Sequence, residues 1–193
     1  MTSPFDARPI VVALAGPNGA GKTTFHRAHL ASAGLRFVNA DALAGELEID
    51  AYEAAKVAQK VREAFLEQRE SFVFETVFSD PAGDELDFLR RASALGYTVV
   101  LCFIGLASPE PSDERVAMRV MQGGHDVPAE KLVARYPRSL ENLRRAIREL
   151  PHVLVFDNSD LRHPFRKSAE LVDGAAVGTL EPIPAWLRGV VAR

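Results

Sequence analysis

The stretch Ile10-Val11-Val12-Ala13-Leu14-Ala15-Gly16-Pro17-Asn18-Gly19-Ala20-Gly21-Lys22-Thr23-Thr24 decides the fold. Its first six residues are apolar and partly β-branched, with no polar alternation. Such a run predicts a strand covered on both faces, as in a parallel sheet. Three glycines and a proline then forbid a regular element, and helical spacing resumes near Lys22 and stops at Gly34. The segment from Gly16 to Thr23 fits G-x-x-x-x-G-K-[ST] at every required position, between a strand and a helix, the setting this motif needs. Its glycines let successive N–H groups turn inward around an anion, and the helix start adds its positive end. The loop Gly16, Pro17, Asn18, Gly19, Ala20, Gly21, Lys22, Thr23 and Thr24 is therefore the expected cradle for ATP or GTP. Lys22 can reach the β- and γ-phosphates, and the Thr23 hydroxyl is placed to join a Mg²⁺ shell.

Outward from this loop the same rhythm repeats. Residues 35–38 form a short strand candidate, and Asp50 caps an expected helix over 51–70. A third strand covers 71–74, a third helix 83–95, and the longest strand candidate 97–104. Helical patterns follow over 112–122 and 128–150, with Pro137 expected to kink or split the second. A fifth strand covers 153–156. Residues 167–172 and 175–180, joined by Asp173-Gly174, read as an antiparallel hairpin ahead of a last helix carrying Trp186. Alternating strands and helices imply βαβ units with right-handed crossovers. The expectation is one α/β domain over 1–193, a three-layer P-loop NTPase of the nucleoside or small-molecule kinase type. It has a mostly parallel five-stranded sheet, a helical lid over about 108–150, and a C-terminal β-hairpin and short helix over about 165–193.

Composition narrows the function classes. With 193 residues, 47% of them hydrophobic, the chain can bury a substantial core. The balance of 23 basic against 26 acidic side chains leaves a net charge of −3, which excludes holding nucleic acid by an overall positive field. A single cysteine, Cys102, excludes an internal disulfide framework and any multi-cysteine metal site. No apolar run reaches the roughly 18–20 residues of a membrane span, and the start lacks the basic-then-apolar build of a secretory signal. The expectation is a cytoplasmic protein without a membrane or nucleic-acid partner.

A phosphotransferase with this loop also needs a base, groups that hold the acceptor, and cations that neutralise the migrating phosphoryl. Asp41, just past the second strand, should face the crevice at the carboxyl ends of the strands, where it can accept a hydroxyl proton. The competing reading is a helix N-cap. Glu75-Thr76 ends the third strand, as a Mg²⁺-water ligand or a substrate-binding pair. Arg115, Arg119, Arg135 and Arg138 fall between the fourth and fifth strands, paired at helical spacing, where guanidinium groups can close over a γ-phosphate. Arg144, Arg145 and Arg148 read as a solvated face. Gly123-Gly124-His125-Asp126-Val127-Pro128 is a candidate hinge or substrate-facing turn, in which His125 is a structural or substrate-binding residue, and Asp157-Asn158-Ser159 a nucleotide-base loop or a structural turn.

Taken together, the P-loop, Asn39-Ala40-Asp41, Phe74-Glu75-Thr76, the arginine-bearing 114–120, the Gly-Gly-His turn, and Arg135-Tyr136-Pro137-Arg138-Ser139 with Asn142 resemble the zeta-toxin family. They are most similar to its compact branch of P-loop ATPases or kinases. The resemblance implies ATP- or GTP-dependent phosphorylation of a small-molecule hydroxyl, in the characterised toxins the 3′-hydroxyl of UDP-N-acetylglucosamine. On that analogy Lys22 binds phosphate and Asp41 is the base. Glu75 and Thr76 hold the sugar nucleotide, while Arg119, Arg135 and Arg138 clamp the transferred group. The chain is shorter than the best-known toxins and reads Glu75-Thr76-Val77 where those tend to carry Glu-Gly-Thr. No antitoxin segment is visible in it, so a toxin role calls for a separate antitoxin partner. The alternative is a nucleotide-dependent ATPase or switch acting through a protein partner. A polynucleotide kinase would need a basic groove with stacking aromatics, and the aromatics here sit in apolar strands.

Overall fold

The computed structural model describes residues 3–109, 128–179 and 182–191. Arg115, Arg119, His125 and the helical pattern over 112–122 lie outside the described residues. The central strand is β1, Ile10–Ala15, buried along its whole length. It pairs in parallel with β3, Phe72–Thr76, on one side and with β4, Thr98–Gly105, on the other. β2, Arg36–Val38, lies outside β3, and β5, His152–Asp157, outside β4, both in parallel. The absence of polar alternation in β1 follows from this placement. Val11, Ala13 and Ala15 face one core, while Ile10, Val12 and Leu14 face the other.

The hairpin is present, as β6, Arg166–Val172, and β7, Ala175–Thr179, but it is not an appendage. β6 pairs antiparallel with β5 and β7 with β6, so the expected five strands become one mixed sheet of seven, ordered β2-β3-β1-β4-β5-β6-β7. The unpaired edge of β5 explains the extension, because its backbone groups need partners.

Around the P-loop, α1 begins over Lys22–Phe25, continues with π geometry over His26–Leu30, and tightens to a 3-10 turn over Ala31–Ala33 before left-handed Gly34. α2, Ala40–Leu47, is short and was not expected from the pattern. α3, Ala51–Glu67, is capped by the Asp50 carboxylate, as expected. α4 is Asp84–Ala94, α5 is Ala129–Glu149 and α6 is Ala185–Val191. Pro137 lies inside α5 without splitting it. Leu132, Leu143, Ala146 and Ile147 bury one side of that helix, and their packing offsets the hydrogen bond that proline removes.

The helices α3, α4, α5 and α6 cover the Val11 face of the sheet, and α1 covers the Val12 face through Phe25 and Leu30. Among the described residues, no helix is long and apolar enough to cross a membrane.

Candidate phosphate-binding cleft

β1 is the point where the strand order reverses: the chain passes from it to β2 on one side and later to β4 on the other. Ligands of open parallel sheets bind at the carboxyl ends of the strands at such a point. The loop over 16–21 sits there, and its shape is enforced by two glycines. Gly16 has φ +142°, and a Cβ on it would lie 2.1 Å from the Ile104 carbonyl oxygen. Gly21 has φ +84° and directly precedes α1. Any side chain at Gly16 would push the loop off β4.

The loop lysine is buried. Lys22 Nζ donates to the carbonyls of Gly16, at 2.9 Å, and Pro17, at 3.1 Å, and lies 3.8 Å from Glu75 Oε1. Glu75 comes from the neighbouring strand, in register with Leu14. Its Oε2 accepts from the Thr23 hydroxyl, at 2.8 Å, and from Asn39 Nδ2, at 2.9 Å. Thr23 and Glu75 thus set two hard oxygen donors beside the phosphate loop. Among the described residues no group of three His, Cys, Asp or Glu side chains could hold a metal. That donor set suits an ion held largely by phosphates and water, as Mg²⁺ is, rather than an all-protein cage.

Asn39 is a residue whose role the sequence reading did not assign. Its Oδ1 accepts from the amides of Asp41, at 2.8 Å, and Ala42, at 3.1 Å, making Asn39 the N-cap of α2. Asp41 is therefore not the cap. Its exposed side chain lines the cleft from the first turn of α2. The signal was present as an Asn one residue ahead of the helix, but without the Glu75 contact it reads as an ordinary cap.

These groups line one cleft of about 470 Å³, which brings together Asn18, Lys22, Asn39, Asp41, Glu75, Thr76, Arg135 and Arg138. Arg135 is half-buried and Arg138 exposed, both on α5. Thr76, in the same lining, donates to Glu85 and accepts from the Phe78 amide at 2.8 Å. Asp157 is held within the fold. It accepts from Trp186 Nε1 at 3.0 Å and from Ser159, while Asn158 ties the P-loop by donating to the Ala20 carbonyl at 2.8 Å.

The floor of the cleft holds a charged cluster invisible to motif reading. Burial, reinforced by the charge of Asp80, pushes the Glu85 carboxyl up to about 7, against the opposing hydrogen bond from Thr76. Both side-chain oxygens of Asp80 are buried beside Glu85 without a hydrogen-bond donor among the described residues. Arg62 lies over the rings of Phe74, at 4.6 Å, and Phe88, at 5.2 Å, and burial lowers its pKa. A wider groove of about 1080 Å³ between α3 and α4 meets the cleft at Arg62, Asp80 and Glu85.

Comparison with known proteins agrees with this architecture. A family model described as Zeta toxin matches residues 48–168. Among solved structures, the AvrRxo1-ORF1:AvrRxo1-ORF2 complex with sulphate ions superposes with a TM-score of 0.68 at 18% identity, over 96% of this chain and 64% of that one. The chain thus spans under two thirds of that relative's length. The same complex has been solved with ATP, with a TM-score of 0.62 at 19% identity, over 96% of this chain and 64% of that one. The PezAT chromosomal toxin-antitoxin system of Streptococcus pneumoniae gives a TM-score of 0.60 at 15% identity, over 94% of this chain and 78% of that one. At these identities the likeness is one of fold. No match was found among curated proteins.

Proposed function

The chain belongs to the zeta toxin family, and from that premise we propose that it is a phosphotransferase, moving the γ-phosphoryl group of ATP or GTP to a hydroxyl of a small metabolite. The observation that carries this reading is one cleft lined by Lys22 of the P-loop, the carboxylate of Asp41 and two arginines of α5. A nucleotide switch needs the first of these, whereas a carboxylate and two arginines sharing its cleft suit transfer to an acceptor hydroxyl. In the proposed reaction Asp41 takes the proton of the acceptor hydroxyl as the acceptor oxygen bonds to the γ-phosphorus. The β–γ bridging bond breaks, and the nucleoside diphosphate leaves. Lys22, Arg135 and Arg138 neutralise charge on the moving group, and the loop amides hold the rest of the triphosphate. Mg²⁺, held by the phosphates with Thr23 and Glu75 as protein oxygens, would supply further neutralisation.

The proposed acceptor is a UDP-sugar such as UDP-N-acetylglucosamine, from the family resemblance. A separate antitoxin is the proposed protein partner, since PezAT is a toxin-antitoxin system. Purified protein with Mg²⁺ and ATP, incubated with a panel of UDP-sugars and followed by mass spectrometry, tests the acceptor. Asp41→Asn should cut product formation by about 10²–10⁴-fold while nucleotide affinity holds. Nucleotide consumed with no acceptor phosphorylated would favour the ATPase reading instead.

A further inference from the structure

Two buried polar side chains of α5 have no place in the reaction just described. Ser139 is fully buried and Asn142 nearly so. Ser139 Oγ donates to the Val77 carbonyl at 2.7 Å, while Asn142 Nδ2 donates to the carbonyls of Phe78, at 3.2 Å, and Asp80, at 3.0 Å. Those carbonyls belong to the loop between β3 and α4, in which Phe78 is buried with φ +57°. Such backbone persists only where its surroundings hold it. Arg135, Arg138, Ser139 and Asn142 follow each other at spacings of three, one and three, along one stripe of the helix. On the same turns Tyr136 donates to the Leu106 carbonyl at 2.7 Å, just past β4. The helix is therefore pinned beside Pro137, where its own ladder lacks a bond.

We propose that Ser139 and Asn142 are positioning residues, which set the placement of Arg135 and Arg138 over the P-loop by tying α5 to the loop that follows Glu75 and Thr76. Apolar packing through Leu143, Ala146 and Ile147 already attaches α5 to the core. That packing is non-directional and tolerates small slides and rotations. The bonds to the Val77, Phe78 and Asp80 carbonyls are directional, and they reference the arginines to the same strand end that carries Glu75. A phosphoryl clamp needs such a reference, because a displacement of about 1 Å is costly at a reacting centre. This inference rests on the reading of Arg135 and Arg138 as γ-phosphate ligands.

The test is calorimetric affinity for ATP and for ADP, with Mg²⁺, in the full chain. The ratio of the two affinities reads contacts to the γ-phosphate alone. Ser139→Ala with Asn142→Ala should lower that ratio by about tenfold, as loss of a charge-assisted contact would, with ADP affinity changed less than about twofold. In an Arg135→Ala, Arg138→Ala background the same pair of substitutions should leave the ratio untouched, while the unfolding midpoint drops equally in both backgrounds. A purely structural role would shift the midpoint and spare the ratio, which overturns the proposal. An equal loss of ADP affinity, or a further fall of the ratio in the arginine-free background, also overturns it. Should the pair fail to fold, Ser139→Ala alone, which removes one bond, gives the same comparison. A parent chain that binds both nucleotides equally well refutes the arginine clamp and this inference with it. A parent that binds neither refutes the phosphate site itself.

Discussion

Replacing Glu85 with Gln should make the stability of the protein less sensitive to pH, and the size of that change follows from where the carboxyl sits. Its ordinary value of 4.5 is raised to about 7, first by burial and then by the charge of Asp80, with Thr76 and Arg62 opposing. A rise of that size corresponds to about 3 kcal/mol of preference for the neutral acid. Between about pH 4.5 and pH 7 the folded chain holds a proton that the unfolded chain has released. The stabilisation is fully present below that window and is lost as pH rises through it. Glutamine keeps an acceptor for the Thr76 hydroxyl and a donor for Asp80 without titrating. Urea unfolding of both proteins from pH 5 to pH 8.5 isolates the contribution, since other groups cancel in the difference. At pH 5 the two should differ little. By pH 8 the parent should have fallen behind the variant, by up to about 3 kcal/mol. A difference that stays flat across the range, or that moves in favour of the parent as pH rises, would refute the account of Glu85 as a buried carboxyl held neutral in the fold.

Other expectations follow from single contacts. Lys22→Ala should weaken ATP binding at least about tenfold by calorimetry, because an ammonium among the loop carbonyls and Glu75 is the loop's own cation. Burial pushes the Cys102 thiol up to about 12, so it should resist thiol reagents in the native state and react fully in denaturant. Gly105→Ala places a Cβ 2.1 Å from the Trp186 ring and should cost about 1–3 kcal/mol in urea unfolding while quenching or shifting tryptophan fluorescence. Phe74→Ala should cost about 3–5 kcal/mol, as it empties a core site and strips the ring beneath Arg62.

Much of the architecture was legible along the chain because the physics there is local. An apolar strand running into a glycine-rich turn and a helix leaves few alternatives, and β1, the loop and α1 fell where their residues indicate. Asp50 before an amphipathic run and Asp173-Gly174 between two β-rich runs are likewise local signals, and a capped helix and a hairpin stand there. The second helix escaped because eight residues containing Gly45 carry too little periodicity to register. The split that Pro137 would favour does not occur, because propensity speaks for the isolated helix, whereas buried Leu143, Ala146 and Ile147 hold α5 together across the gap.

What this sequence determined unaided is the phosphate loop, since its chemistry is written in consecutive residues whose backbone preferences and side chains act within one turn of chain. Only the tertiary structure decided which distant groups share its cleft. Glu75 meets Thr23 because β3 pairs with β1, Asn39 reaches Glu75 because β2 pairs with β3, and Glu85 acquires its raised pKa because packing of α4 buries it, with Asp80 adding to the shift. The two Glu75 contacts join segments 36 and 52 residues apart in the chain, and no local pattern encodes them.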